Sequence, residues 1–212
     1  MSWIKKKFLE IYDIAQTKPL FFFSAMFMVV YGVIACIISA VELSFYIGIT
    51  GSYSLILGVY KIFALYKYKH IKTQNGDVEK IEKQVAWHIA ICVAVLSFLH
   101  FSFAIVSTFF YDENPSNYGL WFIIFIASVA FVKIVLNTIQ SILTRKNHSI
   151  IIHYIKLADI ANALIALALL QRAILFFTEY PYAKIVSGIG GVFFSLCAVS
   201  VCLIMFLKYR KY

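Results

Sequence analysis

Apolar residues in this chain are concentrated in six long runs, which short polar stretches separate. Each run holds about twenty residues or more, and an α-helix of that length crosses the hydrocarbon core of a bilayer. The pattern therefore predicts an all-α protein, a bundle of six transmembrane helices. The predicted spans are residues 20–41, 46–66, 85–110, 119–143, 151–177 and 183–207.

The first eighteen residues follow a different pattern, in which apolar and charged positions fall on opposite sides of a helix. Trp3 and Phe8 lie near one side, whereas Lys5 and Glu10 lie on the other. This is typical of an amphipathic helix in the membrane interface; a short cytoplasmic tail with lysines is the alternative. Pro19 ends the segment, because the residue before a proline disfavours helical geometry. The sequence thus predicts an interfacial segment over 1–18 and a membrane domain over 19–212.

The composition agrees with a lipid environment. The chain has 212 residues, of which 62% are hydrophobic and 14% charged, whereas soluble domains have roughly 25% charged residues. A net charge of +9 would suit a nucleic-acid-binding protein. The basic residues, however, lie beside the apolar runs, where orientation in the membrane explains them. We therefore expect the lipid bilayer as partner, and no nucleic acid.

Lysine and arginine residues occur in every second polar stretch along the chain. Cytoplasmic loops carry an excess of these residues, and six spans place all the basic stretches on one side. The sequence therefore predicts a multi-pass protein of the cell membrane, N-in/C-in, with both termini cytoplasmic. The basic stretches are the N-terminal segment, 67–84, 144–149 and the C-terminus, whereas 42–45, 111–118 and 178–182 contain no lysine or arginine.

A few charged residues lie inside the predicted spans. They include the basic residues Lys61, Lys133, Lys156 and Arg172, and Asp159 is the deep acid. Lys61 and Lys156 are near the predicted cytoplasmic ends, where a lysine side chain can extend to the lipid headgroups. Arg172 is near the outer end and can reach outward. This leaves Lys133 and Asp159 in need of an explanation.

Lys133 and Asp159 are predicted to form an ion pair near the middle of the membrane. At 1.5 Å per residue they lie roughly 16 Å and 13 Å inside spans 4 and 5. An unpaired charge there costs about 2.5 to 3.5 kcal/mol, which pairing would relieve. Asn137 and Asn162 lie one helical turn from them. These four residues form the candidate ligand or ion pathway; the alternative is a polar clamp that fixes helix register.

The sequence gives little reason to expect an enzyme or a cofactor. It contains no hydrolase, zinc-protease or nucleotide-binding motif, and the deep polar residues include no activated nucleophile. His88 and Cys92 share one helical face, but His100 lies roughly 18 Å further along, so no metal site is predicted. The four cysteines all lie in apolar runs and are expected to be free thiols.

Three stretches carry a resemblance to known proteins: the basic turn Arg145-Lys146-Asn147-His148-Ser149, the run from Ala166 to Leu175, and the second span from Tyr53 to Lys61. In these stretches the chain resembles a group of small six-span bacterial integral membrane proteins. That group has no assigned activity, so the resemblance implies no catalytic or binding residues. The size, charge and span number are also similar to those of the substrate-binding subunits of vitamin-type ABC importers. Their loops are expected to contain many glycine and proline residues, and this chain has only nine glycines and three prolines.

Two functional hypotheses follow. The first is transport or permeation of a small solute or ion through the polar residues between spans 4 and 5. The second is a non-transporting scaffold or accessory subunit with a membrane-protein partner, or a homo-oligomer. The second predicts that small-residue ridges face outward, because such ridges allow helices to pack closely. The ridges are Ser187, Gly191 and Ser195 in span 6, and the glycines of span 2.

Overall fold

The computed structural model describes residues 19–42, 44–73, 78–109, 120–143 and 149–209, and these ranges form six α-helices. All six are long and apolar enough to cross a membrane. This confirms the all-α class and the number of membrane-length helices, and it is compatible with an integral membrane protein. The helices are α1 (Pro19–Glu42), α2 (Phe45–Thr73), α3 (Val78–Phe109), α4 (Leu120–Leu143), α5 (Ile150–Phe177) and α6 (Ala183–Tyr209).

The sequence predicts a loop that begins at residue 67, with a charged helical entry to span 3 over 77–84. The helical entry is confirmed from Val78 onward, whereas the first part of the predicted loop is helical. Helix α2 continues to Thr73, and α3 already begins at Val78. Lysine and tyrosine residues end the apolar run of the second span, but they do not end a helix. The first strong turn signal after that run is Asn75-Gly76. The predicted interfacial segment over 1–18 lies outside the described residues.

Helix α5 is the centre of the bundle. It packs against α2, α3, α4 and α6. Helix α1 packs against both α2 and α4, so α1, α2, α5 and α4 form a closed ring of four helices. Helices α3 and α6 pack against each other and against α5. The interior of the four-helix ring is where the deep polar residues meet.

Helices α1 and α2 approach each other closely at glycine positions. A Cβ atom on Gly32 would lie 2.6 Å from the backbone nitrogen of Leu55, and one on Gly58 would lie 2.9 Å from that of Val29. Neither position has room for a larger side chain without separating the helices. The glycines of the second span therefore act in packing within the chain.

The ridge of small residues on α6 is also inside the molecule. Ser187 and Ser195 are buried, and a Cβ on Gly191 would lie 3.4 Å from Cβ of Ala104 in α3. The prediction that this ridge faces outward to a partner is wrong, because α6 uses it to pack on α3. The outward faces of the helices are instead covered by large apolar side chains such as Phe131 and Phe193, which suggests contact with a lipid bilayer.

Candidate functional site

Polar side chains from all four helices of the ring meet in its interior. They share deep burial, with at most 7% of each residue exposed. We call this group the lysine–aspartate cluster. Its members are Ser24 from α1, Ser54 and Lys61 from α2, Lys133 from α4, and Asp159 and Asn162 from α5.

Helical spacing explains why the cluster has two levels. Ser54 and Lys61 are seven residues, about two turns, apart on α2, and Asp159 and Asn162 are three residues, about one turn, apart on α5. Each pair therefore lies on one face of its helix. Because neighbouring helices run antiparallel, Lys61 is level with Asp159, and Ser54 is level with Asn162.

Lys61 is the ion-pair partner of Asp159. Its Nζ lies 2.5 Å from Oδ2 of Asp159 and donates a second hydrogen bond to Oγ of Ser24 at 2.9 Å. The prediction that Lys61 extends to the headgroups is therefore wrong. The predicted span ended at residue 66, whereas α2 continues to Thr73. Lys61 thus lies about 18 Å from the end of its helix and meets a carboxylate there.

Lys133 does not form the predicted ion pair with Asp159. Its Nζ donates to Oγ of Ser54 at 2.9 Å and to Oδ1 of Asn162 at 3.3 Å. It also lies 4.2 Å from the centroid of the Tyr31 ring, within the range of a cation–π interaction. Lys133 lies within one helical turn of the depth that was predicted for it, because its observed partner Asn162 follows the predicted partner Asp159 by one turn. The predicted partner was wrong because α2 presents Lys61 to the carboxylate.

All four predicted site residues line one small cavity. It measures about 10 Å³, and Lys133, Asn137, Asp159 and Asn162 lie in its wall together with Ser24. A volume of about this size accommodates one water molecule. The structure thus brings together the residues that the sequence predicted, although Ser24, Ser54 and Lys61 were missed. The signal in the sequence that could have identified Ser54 and Lys61 is their spacing of two helical turns, which places both on one face of α2.

Asn137 lies between this cavity and the outer surface of the bundle. It also lines a wide groove of about 440 Å³ between α4 and α5, next to Thr138 and Ser141. Its side-chain oxygen is buried and has no hydrogen-bond partner among the described residues. Asn137 is therefore the residue shared by the walls of the open groove and of the small cavity.

Contacts with α3 and α6 hold the other side of α5. The carboxylate of Glu82 in α3 accepts hydrogen bonds from Oγ of Ser149 at 2.8 Å and from the backbone nitrogen of Ile150 at 3.2 Å. The hydroxyl of Tyr154 donates to the carbonyl oxygen of Met205 in α6 at 2.6 Å. These contacts fix the rotation and height of α5, and with them the positions of Asp159 and Asn162.

The remaining buried polar groups form no second charged cluster of this kind in the part of the chain that the structure describes. Nδ1 of His100 lies 2.8 Å from Oγ of Ser195. The guanidinium of Arg172 lies 4.6 Å from the ring centroid of Tyr46 and is buried rather than reaching outward. Within the described residues, no three His, Cys, Asp or Glu side chains come together as metal ligands would.

No protein-family model matches the chain, and no curated protein shows significant similarity to it. The interpretation of the site therefore depends on its own geometry.

Proposed function

We propose that the protein is a small six-span membrane protein through which a small solute or ion permeates, and that the lysine–aspartate cluster is its site. The observation that carries this proposal is the meeting of Lys61, Lys133 and Asp159 in the middle of the helix ring. Ionisable side chains inside spans are costly, and they mark solute and ion pathways by default.

The cavity and the groove support permeation over a purely structural clamp. A structural clamp requires only that the charged groups have partners, and it requires no empty space beside them. Here a space for about one water molecule lies against Lys133 and Asp159. Asn137 lines both this space and the open groove, and so provides a route to the cluster. The size of the cavity limits the solute to a small one.

The alternative is a scaffold or accessory subunit that transports nothing. Its main sequence support was outward-facing ridges of small residues. Ser187 and Ser195 are buried inside the chain, and Gly58 packs against α1. A membrane-protein partner or homo-oligomer would therefore have to bind the large apolar side chains of the outer surface instead.

We further propose that the protein lies in the cell membrane of a bacterium with both termini cytoplasmic, and that it needs no cofactor and catalyses no reaction. The alternation of basic and non-basic stretches along the sequence supports the orientation. The resemblance to small six-span bacterial membrane proteins supports the bacterial origin.

Reconstitution into liposomes tests the permeation proposal. Vesicles are challenged in turn with potassium chloride, potassium gluconate and glycerol, the two salts with and without valinomycin so that potassium can accompany a permeant anion, and shrinkage and recovery are followed by light scattering. We expect at least one of these to enter faster than into protein-free vesicles. The substitution Lys133→Met should lower that rate by about tenfold, equivalent to about 1.4 kcal/mol, because the cavity loses its charged wall.

The matched control is Lys156→Gln, which removes a half-buried lysine outside the cluster and should leave the rate unchanged. Size-exclusion chromatography of each variant shows whether it is folded. If no solute enters faster than into empty vesicles, or if Lys133→Met behaves like the wild type, the permeation proposal is wrong.

A further inference from the structure

The lysine–aspartate cluster contains more positive than negative charge. Lys61 and Lys133 are both buried, and Asp159, the one acid of the cluster, forms its ion pair with Lys61. Lys133 has only neutral groups as hydrogen-bond partners. An uncompensated charge inside a membrane span is unfavourable, so the second lysine calls for a counter-ion.

The surroundings of Lys133 are arranged for a charged ammonium group. Ser54 donates its hydroxyl proton to Oδ1 of Asn162 at 2.9 Å, so its oxygen is left to accept from Lys133. Oδ1 of Asn162 can only accept. The third group is the face of the Tyr31 ring, which is the electron-rich side of the aromatic system. All three groups present electron density to Nζ, and none carries a negative charge.

The wall of the cavity beside Lys133 contains Asp159, whose carboxylate is paired with Lys61, and three groups that can donate hydrogen bonds to an anion. The carbonyl oxygen of Asn162 is occupied by Ser54 and Lys133, so the amide NH₂ is its remaining polar group. The hydroxyl oxygen of Ser24 accepts from Lys61, which leaves its proton to donate. The amide of Asn137 has a buried oxygen without a partner among the described residues, and turning the amide would present its NH₂ group instead.

A polar stripe leads from the cavity to the end of α4. Lys133, Asn137 and Ser141 are spaced four residues apart and share one face of the helix, and the last two line the open groove. The helix ends at Leu143, two residues after Ser141.

We propose that this cavity binds a small inorganic anion of the size of chloride as the counter-ion of Lys133. The anion reaches the cavity along the stripe and past Asn137. This inference rests on the proposed function, because it names the solute class of the same site. The volume of about 10 Å³ excludes a larger organic anion such as gluconate.

Thermal unfolding of the purified protein in detergent tests this inference. The Tm is measured in potassium chloride and in potassium gluconate at the same ionic strength. We expect a Tm in chloride roughly 2–4 °C higher once chloride exceeds its Kd several-fold, because only the folded cavity binds the anion. Lys133→Met should abolish the difference between the two salts, and Lys156→Gln should keep it.

Asn162→Asp provides a second and sharper variant. The substituted side chain can still accept from Ser54 and Lys133, and it adds the missing negative charge beside the ammonium. We expect a raised Tm in gluconate and no further increase in chloride. Equal Tm values of the wild type in the two salts would overturn the inference, and so would a chloride response that persists in Asn162→Asp.

The two proposals fail in different ways. A chloride-dependent Tm without any flux in liposomes supports the anion site and overturns permeation. Cluster-dependent flux of glycerol or potassium gluconate, without a chloride-dependent Tm, supports permeation and overturns the anion site.

Discussion

Lys61 and Asp159 are each almost completely buried, and their charged atoms lie 2.5 Å apart. Removing two charges from water costs several kcal/mol per ion, and their attraction offsets this only where the geometry is good. The pair is therefore a weak source of net stability, but each partner depends strongly on the other. Loss of Asp159 leaves two buried lysines without an acid, and loss of Lys61 leaves Asp159 without its hydrogen-bonded partner.

A double-mutant cycle measures this dependence. We expect Lys61→Met to lower the free energy of unfolding by about 3–5 kcal/mol, and the double variant Lys61→Met/Asp159→Leu to recover most of that loss. Reversible unfolding in mixed micelles gives the values. The cycle between Lys133 and Asp159 should show a smaller coupling energy; equal coupling in the two cycles would contradict the pairing seen in the structure.

The residues of the site were largely predictable, but their partners were not. Counting depth along each apolar run was enough to find Lys133, Asp159 and Asn162. The sequence contains no information on which helix faces which, so the nearest deep charge on the next helix was taken as partner. Lys61 was missed because the apolar run ends before the helix does.

At the level of helices, α5 depends on α3 for its N-terminal cap. The first backbone amides of a helix have no partner within the helix and attract negative charge. Helix α5 has no acidic residue in its first turn, and the side chain of Ser149 forms no cap with the amides that follow it. Glu82 supplies the carboxylate instead, bonding to both Ser149 and Ile150.

Glu82→Ala tests this cap. We expect a loss of about 1–2 kcal/mol in the free energy of unfolding, similar to the loss of a side-chain cap within a helix. Glu79→Ala is the matched control, because Glu79 lies one turn earlier on α3 and is exposed in a surface pair with Lys83. Unfolding in mixed micelles should show little change for the control; equal losses would argue against a capping role.

The six helices themselves followed from the lengths of the apolar runs. What the runs could not give is which side of each helix faces a neighbour. Ser187, Gly191 and Ser195 form a stripe in any helix because they repeat every four residues. Such a stripe can pack against a partner protein or against another helix of the same chain. The observed packing against α3 shows that the second is the case here.

In the whole molecule, the first three helices pair with the last three. Helix α1 contacts α4, α2 contacts α5, and α3 contacts α6. Ser24, Ser54 and Lys61 belong to the first half, whereas Lys133, Asp159 and Asn162 belong to the second. The cluster thus lies between the halves, which is where transporters built from two halves place their substrates.

Cysteine labelling tests the proposed orientation of the whole molecule. Single cysteines are introduced as Asn75→Cys and Asn114→Cys in a background without the four native cysteines, and intact cells are treated with a membrane-impermeant maleimide. We expect Asn114→Cys to react in intact cells and Asn75→Cys only after permeabilisation, because the basic stretches are retained in the cytoplasm. The reverse result would place both termini outside.

The distance of the Lys61–Asp159 pair along the chain has a consequence for biosynthesis. The two residues are 98 positions apart, so at about 5–20 residues per second a ribosome needs roughly 5–20 s to reach Asp159 after Lys61. During that time α2 has a lysine and no counter-charge, and it has the lowest mean hydropathy of the six spans. Because an unpaired charge in a span is costly, we expect the second span to become stable in the bilayer only when the fifth span arrives with its carboxylate.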